Sequence, residues 1–319
     1  MTSRFKVLLY EPMHTEGTKL LEEKCDVIYA KSFEESKLVS LVGEVDAIVI
    51  RANGVVSRAV IDAAKRLKVI GRHGVGLDGI DLETAKERGI KVVYTPVANT
   101  ESVAEHFVGL ALTLAKKMRS GDIALREGKW NARYELIGTE LRGKTLGLLG
   151  FGRIGQQTAR ICHYGFSMPV MYYDVINYPL VEAELGAFRR KMEEVCREAD
   201  FVSINLPMIP ETRNLVNADL IRHMKPSAFL INMARGPIWN EADVAEAIKS
   251  GRIAGAGSDV FEVEPALPGN PLFAMDNFVG TPHMSAHTDE GMSRMSLVAK
   301  DVLAVLEGEK PEFPAPGSC

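Results

Sequence analysis

The sequence predicts an α/β protein with two doubly wound domains, each built around a parallel sheet. Two series of short apolar runs alternate with segments of helical spacing, one within residues 5–94 and one from Thr145 onward. Such alternation is typical of β-α units. A glycine-rich turn opens the second series, and 319 residues are enough for two medium domains with a substantial core.

The first series supplies the elements of an N-terminal sheet. Apolar runs predict strands at 5–10, 26–30, 47–51, 68–72 and 91–94, and helical spacing predicts helices at 15–23, 34–41, 57–66 and 82–88. Residues 102–118 then predict a long helix with apolar side chains on most faces. Because surface helices keep a polar face, we expect this helix to be buried between domains or subunits.

The second series predicts strands at 145–149, 170–173, 201–206, 228–233, 254–260 and 278–280, with a helix at 156–164. A last helix is expected at about 289–307, followed by a Pro-rich, flexible tail at 310–319. Two successive α/β sheets suggest that substrate binds in a cleft between the domains.

The hexapeptide Gly-Phe-Gly-Arg-Ile-Gly that opens the second series fits a dinucleotide-binding turn. Gly150 would allow the tight turn, Gly152 would let the backbone approach the pyrophosphate, and Gly155 would let helix and strand pack closely. The following helix would direct its N-terminal N–H groups at the phosphates. We therefore expect this turn, including Arg153 and Ile154, to bind a dinucleotide.

Asp174 ends the next predicted strand and indicates which dinucleotide binds. A carboxylate there accepts hydrogen bonds from ribose hydroxyls and repels a 2′-phosphate. Residues 175–177 include no Arg or Lys that could bind such a phosphate. NAD is favoured over NADP.

Composition excludes several other classes of protein. A net charge of −4 without a long basic run does not indicate a surface that binds nucleic acid. No apolar stretch reaches the roughly 18 residues of a membrane helix, and no secretory signal opens the chain. The four cysteines match no metal or redox spacing, so we expect reduced thiols, no metal and a cytoplasmic protein. They are Cys25, Cys162, Cys196 and Cys319.

Three side chains near the carboxyl ends of predicted strands could react beside a nicotinamide, since parallel sheets bind ligands at that edge. Arg235 could hold a carboxylate through two hydrogen bonds and polarise the adjoining carbonyl. His283 could take a hydroxyl proton as hydride leaves, or return it in reduction. Glu264 could hydrogen-bond the imidazole and orient it. The three suit hydride transfer to or from a 2-hydroxy acid.

Together these motifs resemble the D-isomer-specific 2-hydroxyacid dehydrogenase family. The resemblance covers nearly all of the chain, including Val-Ile-Arg at 49–51, Gly-Val-Gly-Leu-Asp at 74–78 and Ser-Val-Ala-Glu at 102–105. It implies that Arg235, Glu264 and His283 form the catalytic set.

The resemblance also implies further contacts and an architecture. Val75 and Gly76 would hold the substrate carboxylate, while Val103 and Asp259 would contact the cofactor. The family pattern is a Rossmann NAD-binding domain, here 99–285, and a flavodoxin-like substrate domain, here 1–98 with 286–319. A homodimer is expected.

Alternatives exist for each catalytic position. Glu262 competes with Glu264, which matches the family because it directly precedes a proline. His287 competes with His283, whose Thr-Pro-His setting matches the family. We expect His106 to be a packing residue.

Within the family, the segments 128–130 and 138–147 resemble the phosphoglycerate dehydrogenases, which use an arginine at the position of Arg51 to bind phosphate. Arg72 and Arg133 are further candidates to pair with a second anionic group. His73 and the segment 237–240 depart from the family pattern. Hydroxypyruvate, glyoxylate and sulfonate analogues therefore stay open as substrates.

Two other classes of protein share this fold. Corepressors of the same fold keep the catalytic trio and bind partners, but no recruiting extension accompanies the fold here. Formate dehydrogenases pair their histidine with a glutamine, in contrast to Glu264. We also expect no serine-sensing regulatory domain in this short form.

Overall fold

The computed structural model describes residues 4–317, so Cys319 lies outside the described residues. The chain divides into two compact units. Unit 1 comprises Met1–Asn99 and His287–Cys319, and unit 2 comprises Thr100–Ala286. Both contain a parallel sheet with helices, which confirms the α/β class.

Unit 1 begins with four β-α repeats followed by a fifth strand. Their elements are β1 (Phe5–Leu9), α1 (Thr15–Lys24), β2 (Cys25–Tyr29), α2 (Glu35–Leu41), β3 (Ala47–Ile50), α3 (Arg58–Ala63), β4 (Val69–Arg72), α4 (Leu82–Glu87) and β5 (Lys91–Tyr94).

Unit 2 follows, and the chain then returns to unit 1 with two helices. The elements of unit 2 are α5 (Thr100–Ala115), α6 (Met118–Arg126), β6 (Leu146–Leu149), α7 (Arg153–Phe166), β7 (Val170–Tyr173), α8 (Pro179–Leu185), β8 (Phe188–Arg189), α9 (Met192–Glu198), β9 (Phe201–Ile204), α10 (Ala218–Ile221), β10 (Phe229–Asn232), α11 (Glu241–Lys249), β11 (Gly255–Ser258) and β12 (Phe278–Gly280). The returning helices are α12 (Asp289–Ser296) and α13 (Val298–Leu306).

The strand order of each sheet shows where ligands can bind. The sheet of unit 1 runs β2-β1-β3-β4-β5, and that of unit 2 runs β12-β11-β10-β9-β6-β7-β8. In unit 2 the chain moves outward from β6 in one direction through β7 and in the other through β9. Doubly wound sheets bind ligands at such a switch point, beyond the carboxyl ends of the strands.

Both faces of the second sheet are covered by apolar cores. On β10, Leu230 belongs to a cluster with Val195 and Val244, whereas Ile231 packs with Phe107 and Phe151. Neighbouring residues of a strand point to opposite faces, so one strand contributes to two cores.

The long helix predicted at 102–118 is interrupted. It ends at Ala115, Lys117 has a φ of 53°, and α6 then starts at Met118. The backbone N–H of Thr139 donates to the carbonyl of Ala115 at 2.8 Å. The segment at Gly138 thus crosses the end of α5, and its hydrogen bond occupies the carbonyl of Ala115. This favours the end of the helix at that residue.

The last predicted helix and the tail also differ from expectation. A break at Leu297 separates α12 from α13, beside Ser296, whose hydroxyl accepts a bond from the N–H of Gly17. The tail was predicted to be flexible, but Pro314 pairs with Val93 and Ala315 is buried. Residues 318–319 lie outside the described range.

Six elements of unit 2 had no sequence prediction, namely α6, α8, β8, α9, α10 and α11. Strand β8 has only two residues, both exposed, too few to show an apolar period. Within residues 4–317, no helix has the length and apolar character needed to cross a bilayer. The thiols of Cys25, Cys162 and Cys196 are buried and form no disulfide.

Candidate active site

The three glycines of the turn differ in the space around them. Gly150 has a φ of 98°, and a Cβ there would lie 2.6 Å from the carbonyl oxygen of Asn205. A Cβ at Gly155 would lie 2.5 Å from the carbonyl oxygen of Gly150. At Gly152 a Cβ would instead meet no described atom within 4 Å.

Gly152 is also the cap residue of α7 and has no side chain to satisfy the first turn. The backbone N–H groups in the first turn of α7 can therefore bind an anion such as a pyrophosphate. In that turn Arg153 is exposed and Ile154 is half-buried, while Val103 is buried in α5. The open space at Gly152 and the uncapped first turn of α7 fit a pyrophosphate.

Asp174 holds the glycine turn against the end of β7. Its Oδ2 accepts the N–H of Phe151 at 2.7 Å, and its Oδ1 accepts the N–H of Ile176 at 2.9 Å. Each oxygen keeps a further lone pair for a ribose hydroxyl. The acid is therefore part of the turn as well as its candidate ribose acceptor.

Arg189 lies beside this acid and was missed by the sequence analysis. Its Nε and Nη2 donate to the carbonyl of Asp174 at 3.0 and 2.8 Å, and Nη2 also donates to that of Val175 at 3.2 Å. It comes from β8, far from Asp174 along the chain, so no local motif could have indicated it. A cation thus adjoins the predicted ribose position.

Glu264 and His283 meet directly. The distance between Nδ1 of His283 and Oε2 of Glu264 is 2.7 Å, and Oε1 of Glu264 accepts the N–H of Phe261 at 3.0 Å. Burial opposes the charge of Glu264, but hydrogen bonding and attraction to His283, the Phe261 bond and the charge of Arg235 lower its carboxyl pKa overall. A charged acceptor fixes the donor at Nδ1 and leaves Nε2 for a substrate.

His283 sits in a left-handed backbone conformation, with a φ of 51°. Its N–H donates to the carbonyl of Asp259 at 2.8 Å. The buried carboxylate of Asp259 accepts the hydroxyl of Thr281 and the N–H groups of Met284 and Ser285, at 2.6, 2.8 and 2.8 Å. Asp259 therefore stabilises the turn that presents the imidazole.

His106 on α5 takes part in this network, contrary to the expectation that it only packs. Its Nε2 lies 2.8 Å from the hydroxyl of Thr281 and 3.8 Å from Oδ1 of Asp259. The contact spans two distant parts of the chain, which explains why no spacing in the sequence revealed it.

Arg235 follows β10 in a segment that touches the Glu264 loop. A Cβ at Gly236 would lie 1.8 Å from the carbonyl carbon of Phe261, so the two backbones are in contact. Glu262, the alternative to Glu264, has another partner: its Oε1 accepts the N–H of Glu241 at 3.0 Å. The structure therefore brings Glu264, and not Glu262, to His283.

In unit 1, the turn that contains Val75 and Gly76 is held by the preceding arginine. Nε of Arg72 donates to the carbonyl of Gly76 at 2.5 Å. The N–H of Gly74, where φ is 133°, donates to the hydroxyl of Thr95 at 3.1 Å. These bonds fix a turn whose N–H groups could bind a carboxylate.

Arg51, at the end of β3, contacts His287. Its Nη2 lies 3.2 Å from Nε2 of His287, and its guanidinium also donates to the carbonyl of Pro12 at 3.3 Å and to the sulfur of Met292 at 3.4 Å. Arg133 instead lies on an exposed turn of unit 2, 5.5 Å from the ring centre of Trp130.

Residues 108–285 match the family model described as D-isomer specific 2-hydroxyacid dehydrogenase, NAD binding domain. The chain is 40% identical over 309 residues to D-3-phosphoglycerate dehydrogenase of Methanocaldococcus jannaschii, covering 96% of this chain but only 58% of that relative. It is 38% identical over 298 residues to hydroxypyruvate reductase of Thermotoga maritima, covering 92% and 96% respectively.

A solved structure with the same fold binds the phosphorylated cofactor. It is the NADPH-dependent glyoxylate/hydroxypyruvate reductase of Sinorhizobium meliloti in complex with NADP and malonate. The TM-score is 0.88 at 29% identity, covering 99% of this chain and 98% of that one.

Proposed function

Because this chain belongs to the D-isomer-specific 2-hydroxyacid dehydrogenase family, we propose that it moves a hydride between a nicotinamide and carbon 2 of a small D-2-hydroxy acid or its 2-keto acid. The observation that carries the proposal is the 2.7 Å bond between His283 and Glu264, in the same unit as a glycine turn that fits a dinucleotide.

The proposed roles follow from the chemistry of each side chain. Arg235 binds the substrate carboxylate and polarises the oxygen on carbon 2. In oxidation, Nε2 of His283 accepts the hydroxyl proton while the carbon–oxygen single bond becomes a double bond; in reduction the imidazolium returns that proton. The bound cofactor would accept the hydride as NAD in oxidation and supply it as NADH in reduction. Glu264 stabilises the imidazolium and holds its orientation.

We assign substrate contacts in unit 1 to Arg51, Val75 and Gly76. The turn at Val75 and Gly76 offers backbone N–H groups to the carboxylate, and Arg51 offers a guanidinium to a second polar group. Relatives named as phosphoglycerate dehydrogenase, hydroxypyruvate reductase and glyoxylate reductase support this range of substrates.

The test is the oxidation of NADH with a panel of 2-keto acids: phosphohydroxypyruvate, sulfopyruvate, hydroxypyruvate, glyoxylate and pyruvate. We expect turnover with at least one of them, and His283→Ala should lower that rate by about 10²–10⁴-fold. Tight NADH binding without turnover of any acid would refute the proposed dehydrogenase activity and favour a protein that binds the dinucleotide as a sensor.

We propose NAD as the preferred cofactor. The support is Asp174, whose carboxylate would repel a 2′-phosphate. Arg189 lies against the same turn and reduces that repulsion. Dissociation constants for NADH and NADPH, measured by fluorescence, test the preference. An equal affinity for both cofactors would refute it.

We also propose that the chain forms a homodimer through α6 and the turn after it. Helix α6 buries none of its residues, and its apolar side chains are exposed together with those of the next segment. They are Ile123, Leu125, Trp130, Tyr134 and Ile137. A pocket of about 760 Å³ adjoins them at the amino ends of the strands of unit 2. Groups of exposed apolar side chains often mark protein–protein contacts.

A cytoplasmic location is proposed as well. Its support is the set of three buried thiols that form no disulfide, since proteins of oxidising compartments tend to pair their cysteines. Burial raises the pKa of Cys162 and of Cys196 to about 12, so neither thiol would be reactive.

A further inference from the structure

His106 makes contacts in unit 2 that the proposed mechanism does not use. It lies on α5, where the neighbouring side chains of Phe107 and Leu110 are buried in the apolar core. The imidazole itself is mostly buried, and its Nε2 lies 2.8 Å from the hydroxyl oxygen of Thr281. Because Thr281 comes two residues before His283, this contact joins a packed helix to the turn that carries the proposed acid–base residue.

The hydrogen bonds around Thr281 fix which atom donates in this contact. The carboxylate of Asp259 can only accept, so the Thr281 hydroxyl gives its single proton to Oδ1 of Asp259, at 2.6 Å. The oxygen of Thr281 then has only lone pairs left for the imidazole. Nε2 of His106 must therefore carry a hydrogen and donate it. We call this pair of bonds, from His106 through Thr281 to Asp259, the donor chain.

The donor chain ends on a buried charge. The side chain of Asp259 is 1% exposed, and an ionised carboxylate away from water is costly unless donors surround it. Nε2 of His106 also lies 3.8 Å from Oδ1 of Asp259, so the imidazole N–H adds to the attraction. Hydrogen bonds that follow one another in the same direction polarise and strengthen each other. His106 thus stabilises the carboxylate in its place.

The turn at 281–285 depends on where that carboxylate lies. His283 has a left-handed φ of 51°, a conformation that is costly outside glycine. Its N–H donates to the carbonyl of Asp259, and the next two N–H groups, of Met284 and Ser285, donate to the carboxylate. A shift of Asp259 would therefore move the backbone on both sides of the imidazole. Side chains on a helix position a site more precisely than those on a loop, and His106 links this loop to α5.

Resting on the proposed function, we infer that His106 is a positioning residue: through Thr281 and Asp259 it holds the turn that aims Nε2 of His283 at the oxygen on carbon 2. The side chain of His283 bonds to Glu264, so the donor chain reaches His283 through its backbone and takes no part in proton transfer. A displacement of a reacting group by about 1 Å can lower a rate by as much as 10²-fold. The loss of the donor chain should therefore slow the chemical step and leave binding intact.

The test is the steady-state reduction of the 2-keto acid that the wild type turns over best, together with NADH binding measured by fluorescence. His106→Leu fills a similar volume and has no donor. We expect its kcat to fall by at least about tenfold. KM for the acid and the dissociation constant for NADH should change by less than about twofold, because the lost interaction acts on the transition state.

His106→Gln separates positioning from packing. Its side-chain amide can reach Thr281 and donate as Nε2 does, so it should restore most of kcat, whereas the shorter His106→Asn should not. Thr281→Val removes the hydroxyl at nearly constant size and should reproduce the effect of His106→Leu. Because both residues belong to one chain of bonds, the double variant should be no slower than Thr281→Val alone.

The matched control is His163→Leu on α7. Nδ1 of His163 contacts the carbonyl of Met168 and belongs to neither the donor chain nor the proposed site. This variant should keep the kcat of the wild type. If His106→Leu does not fold, Thr281→Val provides the same comparison with kcat.

NMR of the ring nitrogens tests the donor chain without turnover. The signals of His106, identified by their loss in His106→Gln, should show a hydrogen on Nε2. A ring with its hydrogen on Nδ1 alone overturns the inference. So does a His106→Leu protein that keeps its kcat, or one that loses NADH affinity instead, or a His106→Gln protein as slow as His106→Leu. If the wild type reduces no 2-keto acid, the proposed function fails, whichever nitrogen carries the hydrogen.

Discussion

At the scale of single residues, His283 is held in a conformation that its own backbone disfavours. A left-handed φ outside glycine costs about 1–3 kcal/mol, and His283 has a φ of 51°. The bonds accepted by Asp259 from residues 281–285 offset that cost. The position of the imidazole therefore depends on a buried carboxylate.

The role of Glu264 can be tested by Glu264→Gln. The amide keeps the size of the side chain but loses the charge that stabilises an imidazolium. We expect kcat to fall by about 10²-fold, with the dissociation constant for NADH unchanged. Steady-state kinetics and NADH fluorescence measure the two quantities. Since the pKa of Glu264 lies below its ordinary value, this carboxylate should stay ionised below the pH at which a free glutamate takes up a proton, and its protonation should not limit wild-type activity above that pH.

Glu262→Gln is the matched control, two residues away. Its carboxylate accepts the N–H of Glu241 and makes no contact with His283 among the described hydrogen bonds. Glu262→Gln should lower the melting temperature and leave kcat near the wild-type value. If both variants lost activity equally, the pairing of Glu264 with His283 would not be the cause.

At the scale of elements, the site depends on two loops that touch backbone to backbone. Gly236 after β10 packs on Phe261, and only a residue without a Cβ fits. We expect Gly236→Ala to destabilise the fold by about 3 kcal/mol or more, and to lower kcat because Arg235 must move. Thermal unfolding and the rate of NADH oxidation measure these effects.

Gly165→Ala provides the comparison for that variant. Gly165 lies in α7, and a Cβ there would meet no described atom within 4 Å. Alanine should stabilise the helix by about 0.5–1 kcal/mol. If Gly236→Ala had the same melting temperature as the wild type, the two loops could move apart at little cost in stability.

The sequence predicted most strands of both sheets, because buried parallel strands are continuous apolar runs. It did not predict the break after Ala115 or the break at Leu297, because each depends on a segment distant in the chain: Thr139 for the first and Gly17 for the second. Short elements such as β8 leave no period to detect.

The same limit applies to the candidate site. Residues in motifs, such as Gly150, Arg235 and His283, could be picked out because turns at strand ends constrain residue type. The contacts of Arg189 and His106 could not, since each joins positions far apart in sequence. Sequence patterns report local geometry, and these contacts are set by tertiary packing.

At the scale of the whole molecule, the homodimer proposal predicts that Ile137→Arg yields monomers. Ile137 is 70% exposed in the single chain, and a second copy would bury it and exclude a charge. Sedimentation at micromolar concentration should show a dimer for the wild type and a smaller species for the variant. The melting temperature of the wild type should rise with protein concentration.

Leu180→Arg is the control, because Leu180 is 87% exposed and lies on α8, which is not part of the proposed surface. It should leave the sedimentation unchanged. A wild-type protein that sediments as a monomer at every concentration would refute the dimer.

The discontinuous make-up of unit 1 has a consequence for synthesis of the chain. Val298 and Val302 on α13 cover one face of the first sheet, where a Cβ on Gly71 of β4 would come within 2.7 Å of Val302. Unit 2 is contiguous and can be complete before residues 298–306 leave the ribosome. Until then the nascent sheet carries an uncovered apolar face, the kind of surface that chaperones bind and that aggregates in their absence.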